Sequence, residues 1–394
     1  MGIESVLVIN FLKSVGSIAL AVGILLAMVT VHEFGHYIVG KLLNFKITEF
    51  SVGFGPAIFK KRSKKSGELF ALRVVPLGGY CAFDGEDDYD EEQENGETEQ
   101  EETKEQKEQE EYPEPKGVRF NDQAPWKRIL VLIAGATMNY LLALLLLVIM
   151  FAGIGRPVYS VVVEKPEQTA AVATQTEISE QGGLQTGDRI LKVNGKDVYL
   201  ITDYMDAING EKAGAEIPVL VSANGKLTVR TLVLAADANF ANMSDTQTLL
   251  KAMNIYGLFT VTENQGFFPS IGHSFVYSFK IGGTVLRSLG ELLTGKLGIN
   301  AVGGPVTTIS MTAQAASSGL MSFLNIAAFI GVNLAVFNLL PVPALDGCKV
   351  IFCLIEWIRK KPVNRKLETI IHFVGIIFLL GFAVLVDLLQ VLFI

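Results

Sequence analysis

His32-Glu33-Phe34-Gly35-His36 closes an uncharged run that begins at Ser14 and is built almost wholly of Ala, Val, Ile, Leu and Gly. Two histidines four positions apart leave the same face of a helix one turn apart. With a glutamate beside the first, this is the HExxH spacing in which two neutral imidazoles hold a zinc ion and a carboxylate stands next to its water. The setting narrows the reading further. The run from Ser14 to Val31 is about the length of a bilayer-crossing helix, so the three ionisable residues sit at the end of a membrane span. Ionisable groups there are costly unless they work. No small-residue cleavage site separates the apolar run from the histidines, which argues against a signal peptide ahead of a soluble enzyme.

Working outward, the composition agrees with a membrane protein. Half of the 394 residues are hydrophobic and the mean hydropathy is +0.39. The net charge of −7 hides a division. Residues 84–114 hold 17 acidic side chains and two lysines, so the rest of the chain is basic. Three cysteines, Cys81, Cys348 and Cys353, give no disulfide framework. Nothing in the charge pattern suggests nucleic acid.

A second uncharged stretch, 129–155, follows Trp126-Lys127-Arg128, an aromatic and basic flank. It carries Asn139, whose buried amide must find a hydrogen-bonding partner; that partner is either the metal site or a neighbouring helix. Residues 297–345 are again uncharged and too long for one helix. They divide into an interfacial part and a span near 318–340. That span runs into Asn338-Leu339-Leu340-Pro341-Val342-Pro343-Ala344-Leu345-Asp346-Gly347. Two prolines break the helix and free backbone groups, tolerated at membrane depth only where they line an enclosed site. Asp346 follows at once, a carboxylate that needs a partner, for which a metal is the obvious candidate. A fourth span covers about 370–392. With four spans, the basic segments Lys60–Lys65, 126–128 and 357–366 all fall on one side, the cytoplasmic side by the positive-inside rule. His32, His36 and Asp346 then emerge near that same face.

The chain divides at 1–45 (first span with HExxH), 46–86 (a β-loop associated with the membrane), 87–116 (an acidic, disordered cytoplasmic insert), 117–155 (second span), 156–266 (an extracytoplasmic β-rich domain), 267–317 (interfacial amphipathic helices), 318–358 (third span and the Leu-Asp-Gly motif) and 359–394 (a basic loop and the fourth span). The insert is too polar to bury a core. In the β-rich domain, Asn194-Gly195 is a hairpin turn signal. Gly183, Leu184, Gly187, Asp188, Ile190, Val193, Asn194 and Gly195 resemble the core of a PDZ domain, a module that takes up peptides by strand addition.

HEFGH in the first span, a PDZ-like insertion between the second and third, and NLLPVPALDG after the third together resemble the site-2 protease family of intramembrane zinc metalloproteases, of the bacterial RseP/RasP type. The resemblance covers nearly the whole chain. It implies a polytopic α-helical membrane protein of about four transmembrane helices, with a membrane-reentrant β-hairpin region and an inserted PDZ-like domain. It implies one Zn²⁺ per chain, held by His32, His36 and Asp346, with Glu33 as general base. Asn338, Pro341 and Pro343 match the segment associated with handling substrate, and Asn139 joins them as a candidate. The expected activity is cleavage of single-pass membrane proteins already trimmed by a site-1-type protease, such as anti-sigma factors, or of signal-peptide remnants. The expected partners are those substrates, the lipid bilayer and peptide C-termini at the PDZ-like domain; the expected place is the bacterial cytoplasmic membrane. The chain departs from some relatives in having one PDZ-like domain rather than two and in carrying the acidic insert. Two other functions compete: a catalytically silent membrane scaffold using the PDZ-like domain, and a metal-gated transporter, which would show internal repeats of its spans.

Overall fold

The computed structural model describes residues 3–86, 112–163, 183–236, 246–298 and 302–393. Most of the acidic insert and two stretches of the β-rich domain lie outside the described residues. The chain forms two compact units, residues 1–147 with 281–394, and residues 148–280.

Among the described residues, the first unit contains four helices long and apolar enough to cross a membrane. The stretches that qualify are Lys13–Leu42 within α1 (Ile3–Leu42), α2 (Pro125–Gly153), α7 (Leu320–Asn338), and Arg365–Gln390 within α9 (Arg365–Phe393). Large apolar side chains such as Phe373, Ile377 and Phe378 on α9 are more than half exposed, surface that fits lipid rather than water. The protein is therefore a polytopic membrane protein. Small residues let the spans meet. A Cβ added at Gly331 of α7 would lie 2.9 Å from Ala143 of α2 and 3.3 Å from Met28 of α1. α1 and α2 touch again at Gly35, where an added Cβ would come 2.8 Å from the carbonyl carbon of Ala134.

Between α1 and α2 lie two strands, β1 (Ile47–Arg62) and β2 (Leu69–Phe83). They do not form a flat hairpin. Residues 49–52 of β1 pair with 69–72 on one side and with 79–82 on the other, so two bent strands make four short rungs. The bends fall where Gly53, Gly55 and Gly78 take positive φ. Arg73 fixes the fold-over, donating to Glu49 (2.6 Å), Ser51 (2.9 Å) and Tyr80 (2.8 Å). Phe45, Ile47, Phe83 and Phe120 pack beneath with Val131 and Cys353. Buried Glu68 ties the sheet to α1, accepting hydrogen bonds from Tyr37 (3.0 Å) and Lys41.

α8 (Asp346–Arg359) begins at Asp346. Its Glu356 is buried and pairs with Arg128 of α2 and, at 2.8 Å, with Arg365 of α9. Arg128 is thus part of a three-helix ionic node rather than a free basic flank. α6 (Pro305–Ser318) follows the Gly303-Gly304 pair. Its first N–H groups, Val306 and Thr307, donate to Asp387 of α9 at 3.0 and 3.3 Å, which gives that carboxylate a capping role.

The second unit is a sheet of β3 (Arg156–Val162), β4 (Arg189–Val193), β5 (Lys196–Asp197), β6 (Glu216–Ala223), β7 (Lys226–Val233) and β8 (Gly257–Glu263), in the order β7-β6-β4-β3-β8 with β5 on β4. Asn194-Gly195 and Asn224-Gly225 both take positive φ at their hairpin turns, as a type I′ turn demands. α3 (Ile201–Ile208) and α4 (Thr246–Ala252) cover one face, burying Tyr204, Ile208 and Leu249 against Ile190, Val193 and Val219. Within 267–317, expected as interfacial amphipathic helices, residues 267–293 form one continuous helix, α5 (Phe267–Leu293).

Candidate metal centre

His32 and His36 lie on successive turns of α1 with their rings nearly perpendicular, centroids 4.7 Å apart. Their Nε2 atoms are 3.1 Å apart. Asp346, brought in by the first turn of α8, places Oδ2 3.1 Å from Nε2 of His32 and 3.4 Å from Nε2 of His36. Three Lewis bases therefore face one another. Bonds of 2.0–2.1 Å in a tetrahedron put ligand atoms about 3.3–3.4 Å apart, close to the three observed separations. Among the described residues no hydrogen-bond donor meets the buried Oδ2 of Asp346, as expected of an atom reserved for a cation. The donor set, two imidazoles and a carboxylate, is one that zinc accepts.

The outer faces of the imidazoles are held as ligands require. Nδ1 of His36 lies 2.8 Å from the carbonyl of Val131 on α2. A carbonyl only accepts, so Nδ1 carries the proton and Nε2 keeps its lone pair. Gly135 makes this approach feasible. A Cβ there would collide with Nε2 of His36 and come within 2.6 Å of Cε1 and 2.8 Å of Nδ1 of His32. His32 has two amides at its Nδ1, Asn139 and Asn338, each with Nδ2 at 3.4 Å. Asn139 is 1% exposed and, among the described residues, its Oδ1 lacks a donor. Turning that amide over supplies the acceptor that a protonated Nδ1 of His32 needs. Asn139 of α2 thus lies against His32 of α1.

Glu33 does not join the three donors. It is turned toward the sheet, where the backbone N–H of Cys81 reaches its carboxylate and its Cγ lies 3.3 Å from the position of a Cβ at Gly79. Residues 79–82 form an outer rung, paired to β1 on one side only in the described register. Burial pushes the Cys81 thiol up, and the Glu33 charge adds to it, so a neutral thiol rather than a metal-binding thiolate lies here. Pro341 is exposed, and Pro343 packs against Gly375 of α9; neither is among the residues that touch the imidazoles.

Several contributors carry no sequence motif. Gly135 and the Val131 carbonyl are invisible to a search for ligands, although the small residues of Gly135-Ala136-Thr137 next to Asn139 are a signal of close helix approach. Glu356 in α8, an acidic residue amid an apolar helix, signals a buried pair.

A multi-span membrane protein with an HExxH helix and a distant carboxylate converging on one point belongs to the class of membrane metallopeptidases. The profile of Peptidase family M50 matches residues 20–382, and the chain belongs to that family. It is 28% identical to the zinc metalloprotease RasP of Bacillus licheniformis over 90% of this chain and 93% of the relative. It is 26% identical to the regulator of sigma-W protease RasP of Bacillus subtilis over the same shares. A putative zinc metalloprotease of Clostridium perfringens is 30% identical over 93% and 96%.

Proposed function

We propose that this protein is a zinc-dependent intramembrane endopeptidase in which His32, His36 and Asp346 hold one Zn²⁺ and Glu33 is the general base. The observation that carries the reading is the convergence of three lone-pair donors at 3.1–3.4 Å with Glu33 next along the helix. Bound zinc supplies Lewis-acid chemistry, acidifying water and polarising a peptide carbonyl. Glu33 takes the proton from the attacking water and passes it to the leaving amine. Asn139 and Asn338 orient His32, and the Val131 carbonyl orients His36, keeping both imidazoles in the metal-binding tautomer.

The substrates we infer are single-pass membrane proteins trimmed beforehand by another protease, anti-sigma factors or signal-peptide remnants among them. A span must be unwound before it is cut, because helical carbonyls are already bonded. The outer rung 79–82 lies beside Glu33 and offers edge groups to an extended segment, which supports the 46–86 sheet as a reentrant presenter of substrate, with Asn338, Pro341 and Pro343 lining its path. The β-rich unit acts as a PDZ-like filter outside the cytoplasm, admitting trimmed ends. The active site lies toward the cytoplasmic face, where Lys60–Lys65 cluster in the β1–β2 turn. A silent scaffold has no use for a donor triad with a carboxylate at its side.

The test is cleavage of a short single-pass substrate by detergent-purified protein, wild type against Glu33→Gln, with zinc measured on both. Cleavage by wild type alone, with zinc retained by both, supports the reading. Wild type without zinc overturns it in favour of the scaffold.

A further inference from the structure

We propose that His372 is a positioning residue for Asp346: from α9 it holds the left-handed turn that aims this carboxylate at the two imidazoles. The inference rests on Asp346 being a zinc ligand.

The chain leaves α7 at Asn338 and enters α8 at Asp346 through a turn closed by Val342 N–H to Leu340 (2.8 Å) and Leu345 N–H to Val342 (3.1 Å). Within it, Ala344 has φ +77°. This is the left-handed region, where an L-residue with a Cβ stays only if its surroundings oblige it. Glycine, which takes that conformation freely, is not used. Two contacts from α9 supply the obligation. The N–H of Ala344 donates to Nδ1 of His372 at 3.1 Å. One turn further along α9, Gly375 lies against the backbone of Pro343, where a Cβ would come 2.7 Å from the carbonyl carbon and 2.8 Å from the oxygen. The His372 ring also stands edge-on to Phe352 of α8, centroids 6.0 Å apart. One side chain thus touches both the turn before Asp346 and the helix after it.

The consequence is directional. Ala344 is two residues from Asp346, so relaxing its φ toward the right-handed region rotates the entry to α8. That swings Oδ2 of Asp346 away from Nε2 of His32 and His36, 3.1 and 3.4 Å off. His372 acts on the carboxylate through the turn. An acceptor at the Nδ1 position is what the turn requires, not an aromatic ring.

The experiment uses the full-length detergent-purified protein: wild type, His372→Phe, His372→Asn, and His372→Phe combined with Ala344→Gly. Three quantities are read: the rate of zinc loss to an excess of chelator, the thermal unfolding midpoint, and kcat and KM on a single-pass substrate. His372→Phe is expected to lose zinc on the order of tenfold faster and to lower kcat, with KM and the midpoint little changed. His372→Asn should restore slow zinc loss, because its amide oxygen can accept from Ala344. Ala344→Gly should restore it by a different route, because glycine needs no support at φ +77°. His372→Ala gives the same comparison if the larger ring does not fit. Zinc loss from His372→Phe and His372→Ala at the wild-type rate overturns the inference. So does fast loss that neither His372→Asn nor Ala344→Gly corrects, which assigns His372 to packing alone. Wild type that carries no zinc overturns the metal centre itself, and this inference with it.

Discussion

Replacing Gly135 by Ala adds a single methyl group on α2, pointed at both imidazoles. Its carbon would collide with Nε2 of His36 and stand 2.6 Å from Cε1 of His32. Restoring ordinary contact at 3.4 Å requires a displacement of at least about 0.8 Å, several times the ~0.2 Å tolerance of a metal–ligand distance. The rings cannot simply back away, because Nδ1 of His36 is pinned to Val131 and His32 rests on Asn139. At least one imidazole must leave its ligand position. We expect zinc affinity to fall by on the order of a hundredfold, the upper end of what outer-shell changes cost. Helix propensity acts the other way, since Ala favours a helix over Gly by about 1 kcal/mol, so the loss should not trace to an unfolded α2. The assay is zinc competition with a chromophoric chelator, run beside circular dichroism and a thermal melt in the same detergent. A Gly135→Ala protein that is folded and binds zinc within about threefold of wild type refutes the placement of the imidazoles.

Asp346→Ala should purify folded but without stoichiometric zinc; full zinc occupancy removes Asp346 from the ligand set. Asn139→Leu deprives His32 of its acceptor, and a loss of zinc affinity of roughly 10- to 100-fold is expected; unchanged affinity by chelator competition transfers that role to Asn338. Glu356→Gln leaves Arg128 buried without its countercharge and should cost about 3–5 kcal/mol, seen as a lowered unfolding midpoint. A midpoint equal to wild type shows that the node of Arg128, Glu356 and Arg365 contributes little.

What could be read from the sequence is set by range. His32 and His36 are four residues apart, and helical geometry alone brings them together, so the motif announces itself. Asp346 was legible on different grounds: a charge directly after a proline-broken apolar segment is too costly in a membrane to stand without a cation beside it. The four spans emerge from uncharged runs, since a bilayer imposes length and composition on each one separately. The supports of the site were not legible, because each is a contact between elements remote in sequence. Val131 contributes only a carbonyl, which any residue has. Gly135 contributes an absence. Arg128 reads as one of three residues in a basic flank until Glu356 is found beside it. His372 carries no motif, and its contact with the turn shows only once the φ of Ala344 is known.

Asn338 touches His32 across 306 positions of chain, and Asp346 lies further still. The proposed metal centre thus cannot close while the protein is being made until nearly nine-tenths of it has left the ribosome. A growing chain carries HEFGH for most of its synthesis with no carboxylate to complete the donor set. The span that bears Asn338 and the turn behind it therefore act as a late key to an early lock. A chain cut short before that turn lacks the third of the proposed ligands.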